Sequence, residues 1–334
     1  MVFDASSFIS FRDFGTKYHY STDQLIWLTL GFAGMAFFSW FDYKKFYILS
    51  IPLLITAIIL LLAVFLPGIG IKVLGAHRWI NLHFFVLQPA EFVKLTLAIY
   101  LAAWFSSKEK GRFGAFVLLM GLVLGLVLIE PDMGTAIIIL CEATVLYFLS
   151  GGKLMHFAIA LPTIGFLGLI LALISPYRAK RLTTFLNPSQ DSSGTSYHVR
   201  QILIALGNGG WLGVGLGNSL QKYAYLPENT TDSIFAIIAE EIGFIGSLCI
   251  LFTLALIVWC GMRIAMSSTD PFGKLLAGGI TAFLGFQMLI NLGAQTALLP
   301  LTGVPLPFIS YGGSALVVDL CSVGILLNVA RKSL

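Results

Sequence analysis

The chain alternates long apolar runs with short polar or basic interruptions, and the runs have the length of membrane spans. A transmembrane helix needs roughly 20 mostly apolar residues. Segments near 24–42, 47–66, 89–106, 113–129, 134–150, 155–175, 234–262, 274–298 and 309–330 reach or approach that length. The pattern predicts an all-α fold, a polytopic transmembrane helical bundle of about nine spans, forming one transmembrane domain over residues 1–334. Residues 1–9 read as the tail of a further helix and are too short for a signal peptide.

The interruptions set the topology. Lys44 and Lys45, then Lys108, Lys110 and Arg112, then Lys153, then Arg263 and Lys274, and finally Arg331 and Lys332 lie in short segments between alternate pairs of spans. The positive-inside rule assigns all of these to the cytoplasm. The C-terminus is then inside, and residues 1–23, 67–88, 176–233 and 299–308 face outward. The outer segments carry Arg78, Arg178, Lys180, Arg181, Arg200 and Lys222, but long loops are weak topology signals. Segment 176–233 is too long to be a structureless loop in a compact domain. Its stretch from Tyr197 to Trp211 mixes apolar residues with Gly and Asn, which predicts interfacial or re-entrant helices.

Composition agrees. The chain is 57% hydrophobic and 11% charged, against about 25% charged residues in a soluble domain. A net charge of +4, held in short runs at span ends, suits membrane topology and excludes a nucleic-acid partner. Cys141, Cys249, Cys260 and Cys321 all sit in apolar runs without CxxC or metal-ligand spacing, and read as small core residues.

Charged groups inside a bilayer cost several kcal/mol, so those retained need a reason. Glu91 and Lys94 stand three apart on one helix and can pair. Glu142 and Asp319 lie mid-span, and Glu240 and Glu241 lie about two turns into the helix starting near Ser233. These groups either lock helices together or line a polar cavity. At the outer boundary, Asp132 in Glu130-Pro131-Asp132-Met133-Gly134-Thr135 can cap the helix that follows. Asp232 or Thr231 can likewise cap the helix after Pro227-Glu228-Asn229-Thr230-Thr231-Asp232, or Asp232 can serve catalysis. Gly213-Val214-Gly215-Leu216-Gly217-Asn218-Ser219 can cradle a phosphate with backbone N–H groups. The Gly- and Pro-rich run 302–314 breaks a helix at membrane depth, which is tolerated only within protein or beside a water-filled cavity. Walker A loops, His/Cys metal sets and Ser/His/Asp orders are missing from the sequence.

Five segments together resemble the SEDS family of shape, elongation, division and sporulation proteins. They are Gly75-Ala76-His77-Arg78-Trp79-Ile80, Gln88-Pro89-Ala90-Glu91-Phe92-Val93-Lys94, Glu130 through Ala136, Tyr225 through Ala236, and Pro305 through Ser314. The similarity covers nearly the whole chain, and segments 217–222 and 302–305 resemble the division and sporulation branches more than the elongation branch. The resemblance implies a ten-helix peptidoglycan glycosyltransferase that polymerises lipid II at the outer face of the bacterial cytoplasmic membrane, at the division septum. It implies that Asp232 is the catalytic aspartate, and that Arg78, Glu91, Lys94, Asp132, Gln201, Lys222 and Ser310 bind substrate. It further implies a class B penicillin-binding protein as partner, other division proteins, and surrounding membrane lipid. Departures from the family pattern are a missing first helix, His83 and Phe84 where glycine is usual, Ala90 for serine, Thr230 for histidine, and Ser233 for phenylalanine.

The implied chemistry is physically coherent. Lipid pyrophosphate is already a good leaving group, so the reaction needs mainly one base, unlike a glycosidase with its two carboxylates. Arg78 and Lys94 are candidates to meet charge on the departing pyrophosphate, with a divalent cation, magnesium or manganese, as the cofactor the chemistry admits, although the sequence shows no dedicated metal cage. Two other readings stay open at this level: a lipid II flippase and a non-catalytic division scaffold.

Overall fold

The structure, a computed structural model, describes residues 2–73, 76–81, 85–107, 113–153, 155–156, 185, 195–223, 226–228 and 230–333. Nearly all of the expected span 155–175, together with Lys108, Lys110, Arg112, Arg178, Lys180, Arg181, His83 and Phe84, lies outside the described residues. The helices are α1 (Val2–Phe14), α2 (His19–Trp40), α3 (Lys45–Ala63), α4 (Pro89–Ser106), α5 (Phe113–Ile129), α6 (Met133–Leu149), α7 (Thr195–Gly209), α8 (Ile234–Ser267), α9 (Pro271–Gln295) and α10 (Gly313–Ser333). Among them α3, α8, α9 and α10 are long and apolar enough to cross a membrane, and α5 and α6 are apolar but shorter. The chain is a polytopic helical membrane protein.

Two features extend the expected helical pattern. Residues 2–14 are helical throughout, beyond the 1–9 read as a helix tail. Segment 67–88, to which the sequence pattern assigns no elements, holds an antiparallel sheet, β1 (Gly70–Val73), β2 (Ala76–Asn81) and β3 (Val86–Leu87), in the order β1-β2-β3. Strand β2 buries only Ala76 and Ile80. It therefore lacks the strict alternation that would have announced a strand.

The residues divide into two compact units: 23–150, 255–287 and 312–334 in one, and 1–22, 151–254 and 288–311 in the other. In the first unit α4 is the central helix. It packs against α3, α6 and α10 and buries residues on every side, including Glu91, Lys94, Leu97, Ile99 and Leu101, as a fully enclosed helix must. Helix α3 buries Phe46, Ser50, Leu54, Ala57 and Leu61 at helical spacing. Its opposite face exposes Ile48, Ile51, Ile55 and Ile59, an apolar stripe suited to acyl chains. Asn328 of α10 donates to the Ser39 carbonyl at 2.8 Å and accepts from the Tyr43 N–H at 3.0 Å, which fixes the connection from α2 to α3.

The second unit packs α1, α7, the start of α8 and the end of α9 around Ala5, Ile202, Ala205, Ile234, Ile237 and Ala294. Helix α7 confirms the expected helical stretch within segment 176–233. Helix α8, expected as one continuous span, is broken at Gly243 (φ 70°, ψ −171°), a region open essentially to glycine alone. The break strands backbone groups that lipid cannot satisfy, and the segment 210–215 takes them up. Val214 N–H donates to the Glu240 carbonyl at 3.0 Å and Gly215 N–H to that of Glu241 at 3.1 Å, while Phe244 N–H donates to the Gly210 carbonyl at 2.9 Å. A Cβ on Gly243 would meet the backbone nitrogen of Gly213 at 2.2 Å. Gly243→Ala is expected to combine about 1–3 kcal/mol of backbone strain with that backbone clash, and to lower the thermal midpoint of the purified protein by several degrees. An unchanged midpoint would show that the crossing does not constrain the fold.

The four cysteines are free. Cys321 is buried, but Cys249 and Cys260 are exposed on α8 rather than in the core as expected.

Candidate functional site

The glycine-rich segment does cradle an anion, but one belonging to its own chain. Gly217 and Ser219 backbone N–H groups donate to the Glu241 carboxylate, the latter at 3.3 Å. The N–H groups of Gly213, Val214 and Gly215 go to backbone carbonyls. The expected phosphate cradle is therefore already filled. Lys222, expected to bind substrate, is 4% exposed and forms ion pairs with Asp4 at 2.9 Å and Glu241 at 3.2 Å. Glu240 accepts from Ser219 Oγ and from Asn208 Nδ2. An apolar cavity of about 330 Å³ beside this cluster is lined by Asp4, Leu216, Gly217, Ile237, Ile238, Glu241 and Ile242.

Asp232 lies on the turn that enters α8, in a different setting. Three consecutive carbonyls of that turn are each held by a donor. Thr230 O accepts from Tyr311 N–H at 2.9 Å, Thr231 O from Ser310 Oγ at 2.5 Å, and Asp232 O from Asn291 Nδ2 at 3.0 Å. Ser310 Oγ also accepts from Leu306 N–H at 2.8 Å, closing a tight turn in which Phe308 adopts φ 65°, a genuine outlier for a bulky residue. Ser310, expected to bind substrate, thus supports the Asp232 turn. The Asp232 side chain is half-buried and its Oδ1 accepts from Thr231 Oγ1 at 3.2 Å. Gly303, at φ 75°, lies beside this side chain: a Cβ there would stand 3.8 Å from Asp232 Oδ2, in ordinary contact. Ala236 N–H, in the first turn of α8, is bonded by Gln295 Oε1 at 2.8 Å. Ser233 meets His198 Nε2 of α7 at 2.7 Å, and Gln201, one turn further along α7, is half-buried.

The remaining expected site residues belong to the other unit. Glu91 and Lys94 form a 2.7 Å ion pair, 1% and 0% exposed. Lys94 also bonds Gln287 and lies 5.7 Å from the Phe283 ring centre. Glu142 of α6 is fully buried, with both carboxyl oxygens lacking a hydrogen bond and Lys94 as its nearby cation. Asp132 takes the capping role: Oδ1 accepts from Thr135 N–H at 3.1 Å, and Oδ2 from Thr135 Oγ1 at 2.9 Å and Gln88 Nε2 at 3.3 Å. Arg78, on β2, donates from Nε to the Glu130 carbonyl at 3.1 Å and from Nη2 to that of Pro131.

The whole chain, residues 1–334, matches the sequence profile of the FtsW, RodA and SpoVE family, described as cell cycle proteins. The chain belongs to this family. Its relatives include stage V sporulation protein E of Bacillus subtilis, 40% identical across 100% of this chain and 93% of that protein. Another is the probable peptidoglycan glycosyltransferase FtsW of Coxiella burnetii, 42% identical across 100% and 92%. Among solved structures, a chain from a study of polymerisation and crosslinking by a peptidoglycan synthase complex superposes with a TM-score of 0.80 at 26% identity, over 99% of this chain and 95% of that one. The crystal structure of the Thermus thermophilus rod-shape-determining protein RodA superposes with a TM-score of 0.69 at 26% identity, over 99% and 94%.

In this family member the turn at 130–132 holds a further titratable group. Glu130 is wholly buried and neither carboxyl oxygen has a hydrogen bond. Burial, reinforced by the Asp132 charge and only partly offset by Arg78, pushes its pKa up to about 8. Between its ordinary value of 4.5 and about 8 the folded protein keeps a proton that the unfolded chain releases, so stability falls as pH rises through that window. Glu130→Gln is expected to flatten this decline in thermal midpoints recorded from about pH 5 to 8; a decline of unchanged slope in the variant would assign it to another group. Among the described residues, no three His, Cys, Asp or Glu side chains converge to hold a cation.

Proposed function

We propose that this chain is a peptidoglycan glycosyltransferase that polymerises lipid II into glycan strands, with Asp232 as general base. The observation that carries the reading is a half-buried carboxylate on a turn whose three successive carbonyls are fixed. Such rigidity is what a positioned base requires. Relatives named as peptidoglycan glycosyltransferases support it.

Asp232 accepts the proton of the 4-hydroxyl on the acceptor N-acetylglucosamine as that oxygen bonds to the donor anomeric carbon. The bond from that carbon to the pyrophosphate oxygen breaks, and the lipid pyrophosphate leaves with its electron pair. Inversion at carbon follows from attack opposite the leaving group. Of the two cations considered for the departing charge, Lys94 is fully buried and paired, and Arg78 alone is partly exposed. The reaction is placed at the outer face of the cytoplasmic membrane, at the septum, with the C-terminus inside. A class B penicillin-binding protein would crosslink the strands.

Purified protein in liposomes with lipid II, with and without that partner, tests the reading. Polymerisation and translocation are scored side by side. Glycan strands are expected; translocation without strands would replace the enzyme by a transporter.

A further inference from the structure

We propose that Asn291 and Gln295 of α9 are positioning residues for the catalytic turn, acting as a two-amide clasp on the segment from Asp232 to Ala236. The inference rests on the reading of Asp232 as the base. The two side chains are four residues apart, on one face of the helix, and 2% and 1% exposed. Asn291 Nδ2 donates to two carbonyls, Asp232 O at 3.0 Å and Val304 O at 2.7 Å. Asn291 Oδ1 accepts from Gln295 Nε2 at 2.7 Å, and Gln295 Oε1 accepts from Ala236 N–H at 2.8 Å.

The chemistry of the partners fixes the direction of every bond. A backbone carbonyl can only accept and a backbone N–H can only donate, so neither amide can flip without placing like groups together. Gln295 shares the Ala236 N–H of the first helical turn with the Ser233 carbonyl 3.1 Å away, and Asn291 ties the Asp232 carbonyl to the loop carrying Gly303. The clasp therefore holds the backbone from the Asp232 carbonyl to Ala236 and links it to the wall beside the carboxylate, while Tyr311 and Ser310 hold the two preceding carbonyls. With the backbone fixed, only the side-chain torsions of Asp232 remain to be set.

A positioning role predicts a loss in turnover rather than in substrate binding. Asn291→Ala is expected to lower kcat about 10- to 100-fold, the scale of a misplaced catalytic group, with KM for lipid II little changed. Gln295→Glu keeps the acceptor for Ala236 N–H and loses the donor to Asn291, so it is expected to retain more turnover than Gln295→Leu. Rates are taken per folded molecule, with thermal midpoints recorded for each variant, and Asp232→Asn is run alongside. A normal kcat in folded Asn291→Ala, or an effect confined to KM or to the midpoint, overturns the clasp while an inactive Asp232→Asn leaves the base intact. Should Asp232→Asn itself polymerise normally, the reading beneath the clasp falls instead. Adding Asn291→Ala to Asp232→Asn should cost little further turnover; full additivity would also count against the clasp.

Discussion

Asp232→Asn is expected to reduce glycan-strand formation from lipid II to a small residual rate while leaving the protein folded and able to bind its substrate. The amide keeps the shape of the carboxylate but cannot take a proton at neutral pH. General-base assistance is worth roughly 10²–10⁴-fold in rate, and that is the loss anticipated in kcat on folded protein. Folding should survive because the side chain is only half-buried. The turn itself is held through the backbone carbonyls of Thr230, Thr231 and Asp232, none of which the substitution touches. Strand synthesis is read by gel separation of labelled product and binding by retention of labelled lipid II. Near-normal synthesis would remove Asp232 from the chemistry.

Lys94→Met is the substitution with the largest expected effect on stability. It fills similar volume but leaves Glu91, 1% exposed, without its 2.7 Å partner. It also removes the cation nearest to the fully buried Glu142, whose oxygens have no hydrogen bond. Breaking one partner of a buried pair costs roughly 3–5 kcal/mol, whereas replacing both by apolar groups is often close to neutral. Lys94→Met should therefore lower the thermal midpoint sharply, and Glu91→Leu combined with Lys94→Met should recover much of it. Equal midpoints for the single and double variants would mean that the pair is not the source of the loss.

Much of the helical frame was legible because membrane spans are written in length and hydropathy. The segments 89–106 and 113–129 coincide with α4 and α5. The Asp132 cap was readable too, since an acidic residue three before Thr135 has an obvious use at a helix start. The break in α8 was hidden because Gly243 sits in an apolar run that reads as one span, and its backbone needs are met by residues about thirty positions earlier. The sheet was hidden by strands too short to show a period. In the candidate site, attention to charged groups singled out Asp232 as a candidate but passed over Gln287, Asn291 and Gln295, three amides four apart in an apolar span. Their spacing is a signal that could have been used, because an uncharged amide buried in a span needs partners as surely as a charge does. His198 and Glu130 gave no such pattern; only tertiary structure brings His198 to Ser233 and buries Glu130.

The most direct measurement is a structure of the protein bound to acceptor lipid II and an unreactive donor in which carbon replaces the anomeric oxygen. The account predicts the acceptor 4-hydroxyl within about 2.6–3.2 Å of an Asp232 carboxyl oxygen, or one water away, and in line with the donor anomeric carbon. A ternary complex with that hydroxyl facing another group, beyond reach of Asp232, would contradict it.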